Sequence, residues 1–545
     1  MAVSARTRVR GGEAVVGALK AHGVDTVFGI PGVHNLEIYD ALVDEPGITN
    51  ILARHEQGVG FMADGYARAT GKPGVALIVT GPGVTNVATA VGEAFADSSP
   101  MLVIATNLER KYIDTLAGNL HEMTDQMAVM RPIVKWAKRV EAAADIPAVI
   151  AEAFAALATG RPRPVYVEIP IDVLAEDVDV SGYTVLETSP ATPTPDDIAK
   201  AAALIAEAHK VCIFAGGGTN DAVAAELLTQ LAEELGAGVV TSLMGKGSIP
   251  EDHPNAVGAF GYRWAADSPT ADLMRGSDLT LAIGTGLGVR TTAEATLPLS
   301  TRLLHVDIDA SELGAHYSPT LAIAADATET LTLLLEAVRS GARPRGRWDA
   351  EDLAAIRERQ AQPVDARTAG YLPWLLALRA GLERDAILCN DMTMMAYEGV
   401  RYFPVYAPRS YTFPRGFGTL GSAMPTALGA KVAQPHRQVV SVAGDGGFQF
   451  TLEELGAAVH HRIPVTMVIF NDATHSAVKV VQRRDYERRY VSVDLVNPDY
   501  VKIAEAYGMP GRRIGSPAEL TSALIEARES ELPVLLDVPI RLETY

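Results

Sequence analysis

Residues 444–472 read GDGGFQFTLEELGAAVHHRIPVTMVIFND. The stretch opens on Asp445 between glycines and closes on Asn471 and Asp472; between them lie a helical pattern and an apolar strand led by Pro464. The apolar run VVSVA (439–443) precedes it. A glycine turn after a buried strand exposes main-chain N–H groups at a helix start, which suits a phosphate, and an aspartate in that turn can hold a hard cation beside it. The second strand returns parallel to the first, so its end reaches the same sheet edge, where open α/β proteins bind ligands. Asp445 and Asp472 can therefore converge on one divalent ion, and oxygen ligands beside a phosphate favour Mg2+. Taken alone, Gly-Asp-Gly is a tight turn and Asn-Asp a helix cap. The flanking strands at this spacing make the pair a candidate site.

The same layout recurs earlier. VALIVTGPGVTNVATAVGEAFADSSPMLVIATN (75–107) lies over residues 439–471 strand for strand. From Gly81 to Pro100 is 19 positions and from Gly444 to Pro464 is 20, with Asn107 and Asn471 following at 26 and 27. Pro82 stands where the later copy has Asp445. Two similar sheets are expected, of which only the later binds a cation. Further apolar runs such as MLVIA (101–105) and PVYVEI (164–169) alternate with helical patterns. Runs apolar on both faces are buried parallel strands, so the fold class is α/β, with three doubly wound domains. Breaks at 181–197, rich in Pro, Thr and Ser, and at 340–353, charged with Pro and Gly, read as linkers. They divide the chain into domains at 1–180, 190–345 and 360–545.

The 545 residues are 48% hydrophobic and 21% charged, an ordinary globular balance. A formal charge of -19 argues against a nucleic-acid or anionic-membrane partner. No run approaches a membrane span, and MAVSARTRVRGGEAVV (1–16) lacks the apolar segment of a signal peptide. Cys212 and Cys389 are too few and too far apart for a disulfide framework or a zinc cluster. A cytoplasmic protein is expected.

At 444–472 the chain resembles the thiamine-diphosphate (ThDP) enzymes, whose signature is GDG followed by an Asn pair; here the second Asn is Asp472. The resemblance implies that Asp445 and Asp472 are the side-chain ligands of Mg2+ and that Thr474 supplies a main-chain carbonyl, with Gly444, Gly446 and Gly447 shaping the turn on the diphosphate. Asn471 is the neighbouring structural position. A glutamate that protonates the aminopyrimidine is also implied, and ARHEQGVGFMADGYARATGKPGVALIVTGPGVTN (53–86) places it at Glu56. PRGFGTLGSAMPTALGA (414–430) resembles the segment that grips the pyrimidine, with Leu420 as the apolar wedge and the Leu420 N–H and Gly418 carbonyl as its hydrogen-bonding groups. NDMTMMAYEG (390–399) resembles the diphosphate loop more loosely and implies Thr393 and Met394. The first domain would bind the pyrimidine of a cofactor whose diphosphate sits in the third domain of another subunit, which implies a homodimer at least and, by resemblance, a homotetramer. In the central domain AGGGTN (215–220), GTGLG (284–288) and VDID (306–309) form a dinucleotide-like pattern without GxGxxG spacing. Relatives hold FAD, ADP or nothing there, and an empty site is expected.

FGIPG (28–32), RHEQ (54–57) and GPGVTN (81–86) are similar to the acetolactate synthase branch. That implies decarboxylation of a 2-oxo acid such as pyruvate and joining of the remaining fragment to a second carbonyl compound. The alternatives are a simple 2-oxo acid decarboxylase or a benzaldehyde lyase-like 2-hydroxyketone lyase, then an FAD-dependent pyruvate oxidase or a non-catalytic homologue. Three positions depart from the synthases. GIPGVHN (29–35) carries His34, LHEMTDQMAVMRPIVKWAKRV (120–140) has His121 or Glu122 in place of the family's glutamine, and His475 follows the metal ligands. A lone histidine is more often structural, but three on loops expected at the cofactor can relay protons.

Overall fold

The computed structural model describes residues 7–260 and 268–540. The outermost ends of the first and third expected domains lie outside them, as do the first six residues of the stretch read as lacking a signal segment. Three six-stranded parallel sheets, each with helices on both faces, bear out the α/β reading. In spatial order the first sheet is Thr49–Leu52, Thr26–Gly29, Gly74–Ile78, Met101–Asn107, Val165–Pro170 and Trp136–Arg139. The third is Tyr411–Thr412, Ile387–Asn390, Val439–Gly444, Thr466–Asn471, Val534–Pro539 and Gly511–Arg513. Numbered along the chain within each sheet, both read 2-1-3-4-6-5. The repeat seen over 33 residues thus extends to whole sheets. The central sheet runs 3-2-1-4-5-6, from Ala256–Phe260 through Gly238–Ser242, Val211–Ala215, Leu279–Ile283 and Leu303–Asp307 to Leu321–Ala324. That is the order of dinucleotide-binding folds. Thr7–Arg10 pairs antiparallel with Asp177–Val180, tying the two ends of the first unit together.

The segment around 181–194 carries no regular structure, and Thr194 caps the next helix, Pro195–Glu207, by accepting from the Asp197 N–H at 3.1 Å. The second break is shorter than its composition suggests, because Ala350–Ala361 is already helical. The charged residues there, Glu351, Asp352 and Arg359, occupy the outer face of an amphipathic helix that buries Leu353 and Ile356.

The first and third units share one hydrophobic core, running from Phe28 and Met62 to Met424, Leu455 and Ile469. At its centre the helix Glu56–Thr70 crosses the helix Ala423–Ala433. Both are rich in Ala and Gly because each is sandwiched between its own sheet and the other unit. At the crossing a β-carbon on Gly65 would lie 2.0 Å from the Thr426 carbonyl oxygen, and one on Gly429 would lie 1.8 Å from the Met62 carbonyl oxygen. The exchange is reciprocal, as a local twofold requires: one constant offset carries Met62 onto Thr426 and Gly65 onto Gly429. The same offset carries Glu56 onto Leu420. The central unit docks through a buried pair, Lys246 Nζ donating to Glu251 Oε1 at 2.6 Å while Glu251 Oε2 accepts from the Val405 N–H at 3.2 Å.

Backbone cannot retreat from a new methyl as a flexible side chain can. Gly65→Ala and Gly429→Ala should each lower unfolding stability by about 1–3 kcal/mol. Gly288→Ala, where nothing lies within 4 Å of the added carbon, should leave the urea midpoint unchanged.

Candidate active site

The strand Val439–Gly444 delivers Asp445 to the start of a short helix, where it is only 2% exposed. The turn is a tight cradle. A β-carbon at Gly446 would lie 2.7 Å from the His475 ring, one at Gly447 would lie 2.6 Å from Asp391 Oδ2, and one at Gly444 would lie 3.2 Å from Thr393 Oγ1. A side chain at Gly446 or Gly447 would have to displace His475 or Asp391. Burial raises the Asp445 carboxyl above its ordinary range, and the neighbouring Asp472 charge adds to the shift while a bond from Asn497 opposes it. Asn497 Nδ2 donates to Asp445 Oδ2 and, at 3.0 Å, to Asn471 Oδ1. Tyr500 OH donates to the Asp445 carbonyl at 3.0 Å.

Asp472 ends the strand Thr466–Asn471 and organises the loop after it. Its Oδ1 accepts from the Thr474 N–H at 3.2 Å and its Oδ2 from Ser476 Oγ, while Ala473 adopts a left-handed φ of 56°. Thr474 is buried, with its hydroxyl donating to the Val493 carbonyl at 2.8 Å. Asn471 donates to Asp537 Oδ1 at 3.1 Å, so its amide is engaged in its own sheet. Two carboxylates close enough to sense each other at a glycine cradle are an oxygen-donor set that fits Mg2+ beside a diphosphate. Among the described residues no group of three or more His, Cys, Asp or Glu side chains could hold a metal.

Thr393 precedes the helix Met394–Tyr402, and Met394 is buried beneath it. Asp391 joins this loop to the Gly418–Gly421 loop, its Oδ1 accepting from the Met392 N–H at 2.7 Å and its Oδ2 from the Gly421 N–H at 2.8 Å. Gly418 and Gly421 both have positive φ, 75° and 81°. Leu420 stands between them, partly exposed at the loop tip.

On the first sheet Glu56 opens its helix and accepts from Asn86 Nδ2 at 2.8 Å through Oε2. His34 and His121 stack with ring centroids 4.9 Å apart. Both have a buried Nδ1 without a hydrogen-bond partner. Burial, then the neighbouring His121, lowers the His34 pKa, so its imidazole is neutral at pH 7. His121 has a φ of 67° and packs against the Gly81 turn. Glu122 does different work: its carboxylate accepts from the Ala117, Gly118 and Asn119 N–H groups at 2.6–3.0 Å, clasping its own loop. His475 lies with its ring on Gly446. The structure thus gathers His34 with His121, and His475 with the glycine cradle.

Sequence reasoning missed Asn497, Asp391 and Gln126. Gln126 Oε1 accepts from Thr80 Oγ1 at 2.7 Å and the Gly81 N–H at 2.8 Å, while its Nε2 donates to the Thr106 carbonyl at 2.9 Å, fixing the GPG turn from beneath. It sits in the quoted 120–140 stretch, four residues past Glu122. A buried amide bridging two strand ends is its only signal.

Burial pushes the Asp391 carboxyl up to about 7, against the two N–H groups that favour its charge. The folded chain keeps a proton that an unfolded aspartate releases near pH ~4, so this group's contribution to folding stability is greatest below that pH and falls as pH rises towards 7. Urea midpoints should decline across that window, and Asp391→Asn should flatten the decline. Glu93 and Glu454, also pushed up to about 7 by burial, act in the same direction and leave a residual slope.

Comparison with known proteins matches three family descriptions along the chain. Residues 9–129 match the thiamine pyrophosphate enzyme N-terminal TPP binding domain, 198–334 the central domain, and 391–538 the C-terminal TPP binding domain. A probable 2-ketoarginine decarboxylase from Pseudomonas aeruginosa is 40% identical over 92% of this chain and 89% of its own length. A probable acetolactate synthase large subunit from Methanocaldococcus jannaschii is 34% identical over 98% of this chain and 92% of its own. The acetolactate synthase isozyme 3 large subunit of Escherichia coli is 34% identical over 95% and 92%. The glycine cradle, its paired aspartates and the glutamate-led helix belong to a chain related to these enzymes throughout its length: the protein is a member of the thiamine pyrophosphate enzyme family, in the branch that holds the acetolactate synthases.

Proposed function

We propose that the protein uses ThDP and Mg2+ to decarboxylate a 2-oxo acid, returning a proton to the carbon that loses CO2. The supporting observation is the His34–His121 stack, two imidazoles with buried, unpartnered ring nitrogens on adjacent loops of the first sheet. Asp445, Asp472 and the Thr474 carbonyl hold the cation, Gly444, Gly446 and Gly447 admit the diphosphate with Thr393 and Met394 beside it, and Gly418 and Leu420 grip the pyrimidine. Bound ThDP supplies a thiazolium that accepts the electron pair released with CO2. Glu56, oriented by Asn86, holds the proton exchanged with the pyrimidine of a cofactor seated in a second copy, so the working unit is at least a homodimer and, by family likeness, a homotetramer. His34, with His121 stacked beside it, takes up a proton at a ring nitrogen and gives it to the carbon that loses CO2. His475 shapes the cradle, and Glu122 positions the loop that bears His121. Two buried thiols, Cys212 and Cys389, fit a reducing cytoplasm. The central sheet's glycine turns pack on one another, a β-carbon at Gly216 falling 2.0 Å from the Gly284 carbonyl oxygen.

Acetolactate synthase-like carboligation is the second reading, favoured by relatives of that name covering 98% of this chain. Incubation with pyruvate, then with longer and guanidino-bearing 2-oxo acids, with and without an added carbonyl acceptor, separates the two by mass analysis. Aldehyde matching CO2 supports decarboxylation; a ligated product in its place supports the synthase. His34→Phe keeps the stack but removes the protonable nitrogen and should lower the aldehyde yield relative to ligated product; an unchanged ratio removes the histidines from the proton path. Glu56→Gln should lower turnover by on the order of a hundredfold or more with ThDP still bound. A yellow purified protein would instead point to the FAD-dependent oxidase.

A further inference from the structure

Two buried glutamates cross the boundary between the first and third units in opposite directions. Glu454, in the third unit, is fully buried. Its Oε1 accepts from the His55 N–H at 2.9 Å and the Arg54 N–H at 3.1 Å, and its Oε2 from the Arg54 N–H at 3.1 Å. These are the two residues before Glu56. A β-carbon on Gly58 would lie 2.0 Å from the same carboxylate, so it sits directly at the helix N-terminus. Glu93, in the first unit, is 1% exposed. Its Oε1 accepts from the Phe417 N–H at 3.3 Å, and its Oε2 from the Thr419 N–H at 3.2 Å and Thr419 Oγ1 at 3.0 Å. These residues flank Gly418 and precede Leu420. Asp97, one helical turn beyond Glu93, accepts from the Arg415 N–H at 3.3 Å, so carboxylates of the first unit hold the amides of Arg415, Phe417 and Thr419 in one loop.

Glu56 and Leu420 are equivalent positions under the local twofold, and each is preceded by main chain held by a glutamate of the other unit. We infer that Glu454 and Glu93 are reciprocal positioning residues: Glu454 sets the loop that presents Glu56, and Glu93 sets the loop that presents Gly418 and Leu420 to the pyrimidine. The inference rests on the ThDP assignment of Glu56 and Leu420. Desolvation acts against both carboxylates; amide N–H bonds favour the charged form of Glu454, while for Glu93 the Arg68 charge does so first and its amides next, against the Asp97 charge. A buried carboxylate that is replaced leaves its amides unpaired, so the disturbance falls on the held loop.

The test uses full-length, ThDP-loaded protein, hydrogen–deuterium exchange by mass spectrometry, and separate measurement of ThDP affinity and of turnover at saturating ThDP. Glu454→Met should speed exchange over residues 52–58 and lower turnover roughly tenfold with ThDP affinity unchanged. Glu93→Met should speed exchange over 415–421 and weaken ThDP binding roughly tenfold with turnover at saturation kept. Where a Met variant does not fold, Glu454→Gln and Glu93→Gln retain an acceptor without the charge and should show the same local pattern at smaller amplitude. Wild-type exchange and affinities in the Gln variants overturn the inference. So does equal loosening of both loops with both constants changed together. If wild-type protein turns over no 2-oxo acid, the proposed reaction fails, while the exchange maps and ThDP affinities still decide the clamps.

Discussion

Everything at the centre of this molecule depends on two helices approaching until main chain meets main chain. Helix crossings are usually kept apart by side chains, at 8–10 Å between axes. Here Gly65 and Gly429 remove that spacer, and each admits a carbonyl from the opposite helix. The helix that opens with Glu56 and the helix that follows the Leu420 loop are consequently held in one fixed relation. Because the two residues arise at equivalent points of a repeated unit, one packing decision sets Glu56 and Leu420 together.

That closeness has an electrostatic side. Asp64, Glu93, Asp97, Asp391 and Glu454 are all buried around the shared core. Arg68 answers part of the charge, donating through Nε to Asp64 at 2.7 Å and through Nη2 to Asp97 at 3.1 Å. Asp391 and Glu454 are answered mainly by backbone amides, and Glu93 by the Arg68 charge together with amides. A carboxylate facing amides specifies position, since fixed donors of the main chain accept it in few geometries. The chain's net acidity is thus unevenly employed: most acidic residues are solvated, and a few are placed where a neutral side chain would leave N–H groups unpaired.

How much of this could be read from the sequence follows from distance along the chain. The GDG turn, its strand and the Asn-Asp pair lie within 29 residues, and their roles come from local geometry, so the candidate cation pair was legible. The repeat was legible because strand, turn, helix and proline recur in order. From the sequence Glu122 is a candidate active-site residue; its clasp on the 117–119 loop was not legible, because its partners there are backbone N–H groups with no sequence signature. Asn497 reaches Asp445 across 52 positions, and Glu454 reaches Arg54 across 400. Neither belongs to a short motif, and only the packed units bring them into contact. The second linker misled by a few residues because an exposed helical face has the composition of a loop.

The reach of 400 positions between Arg54 and Glu454 also orders events during synthesis. A ribosome adding about 5–20 residues per second needs roughly 20–80 s to pass from one to the other. Once the strands up to Pro170 have been made, the first unit has its sheet but not its lid for the rest of that interval: the small-residue face of the Glu56–Thr70 helix has no opposite helix, and the Arg54 and His55 amides have no carboxylate. The nascent chain therefore carries an exposed apolar seam until its C-terminal third emerges, and the central unit, which lies between the two halves of the shared core, lengthens the time spent in that state.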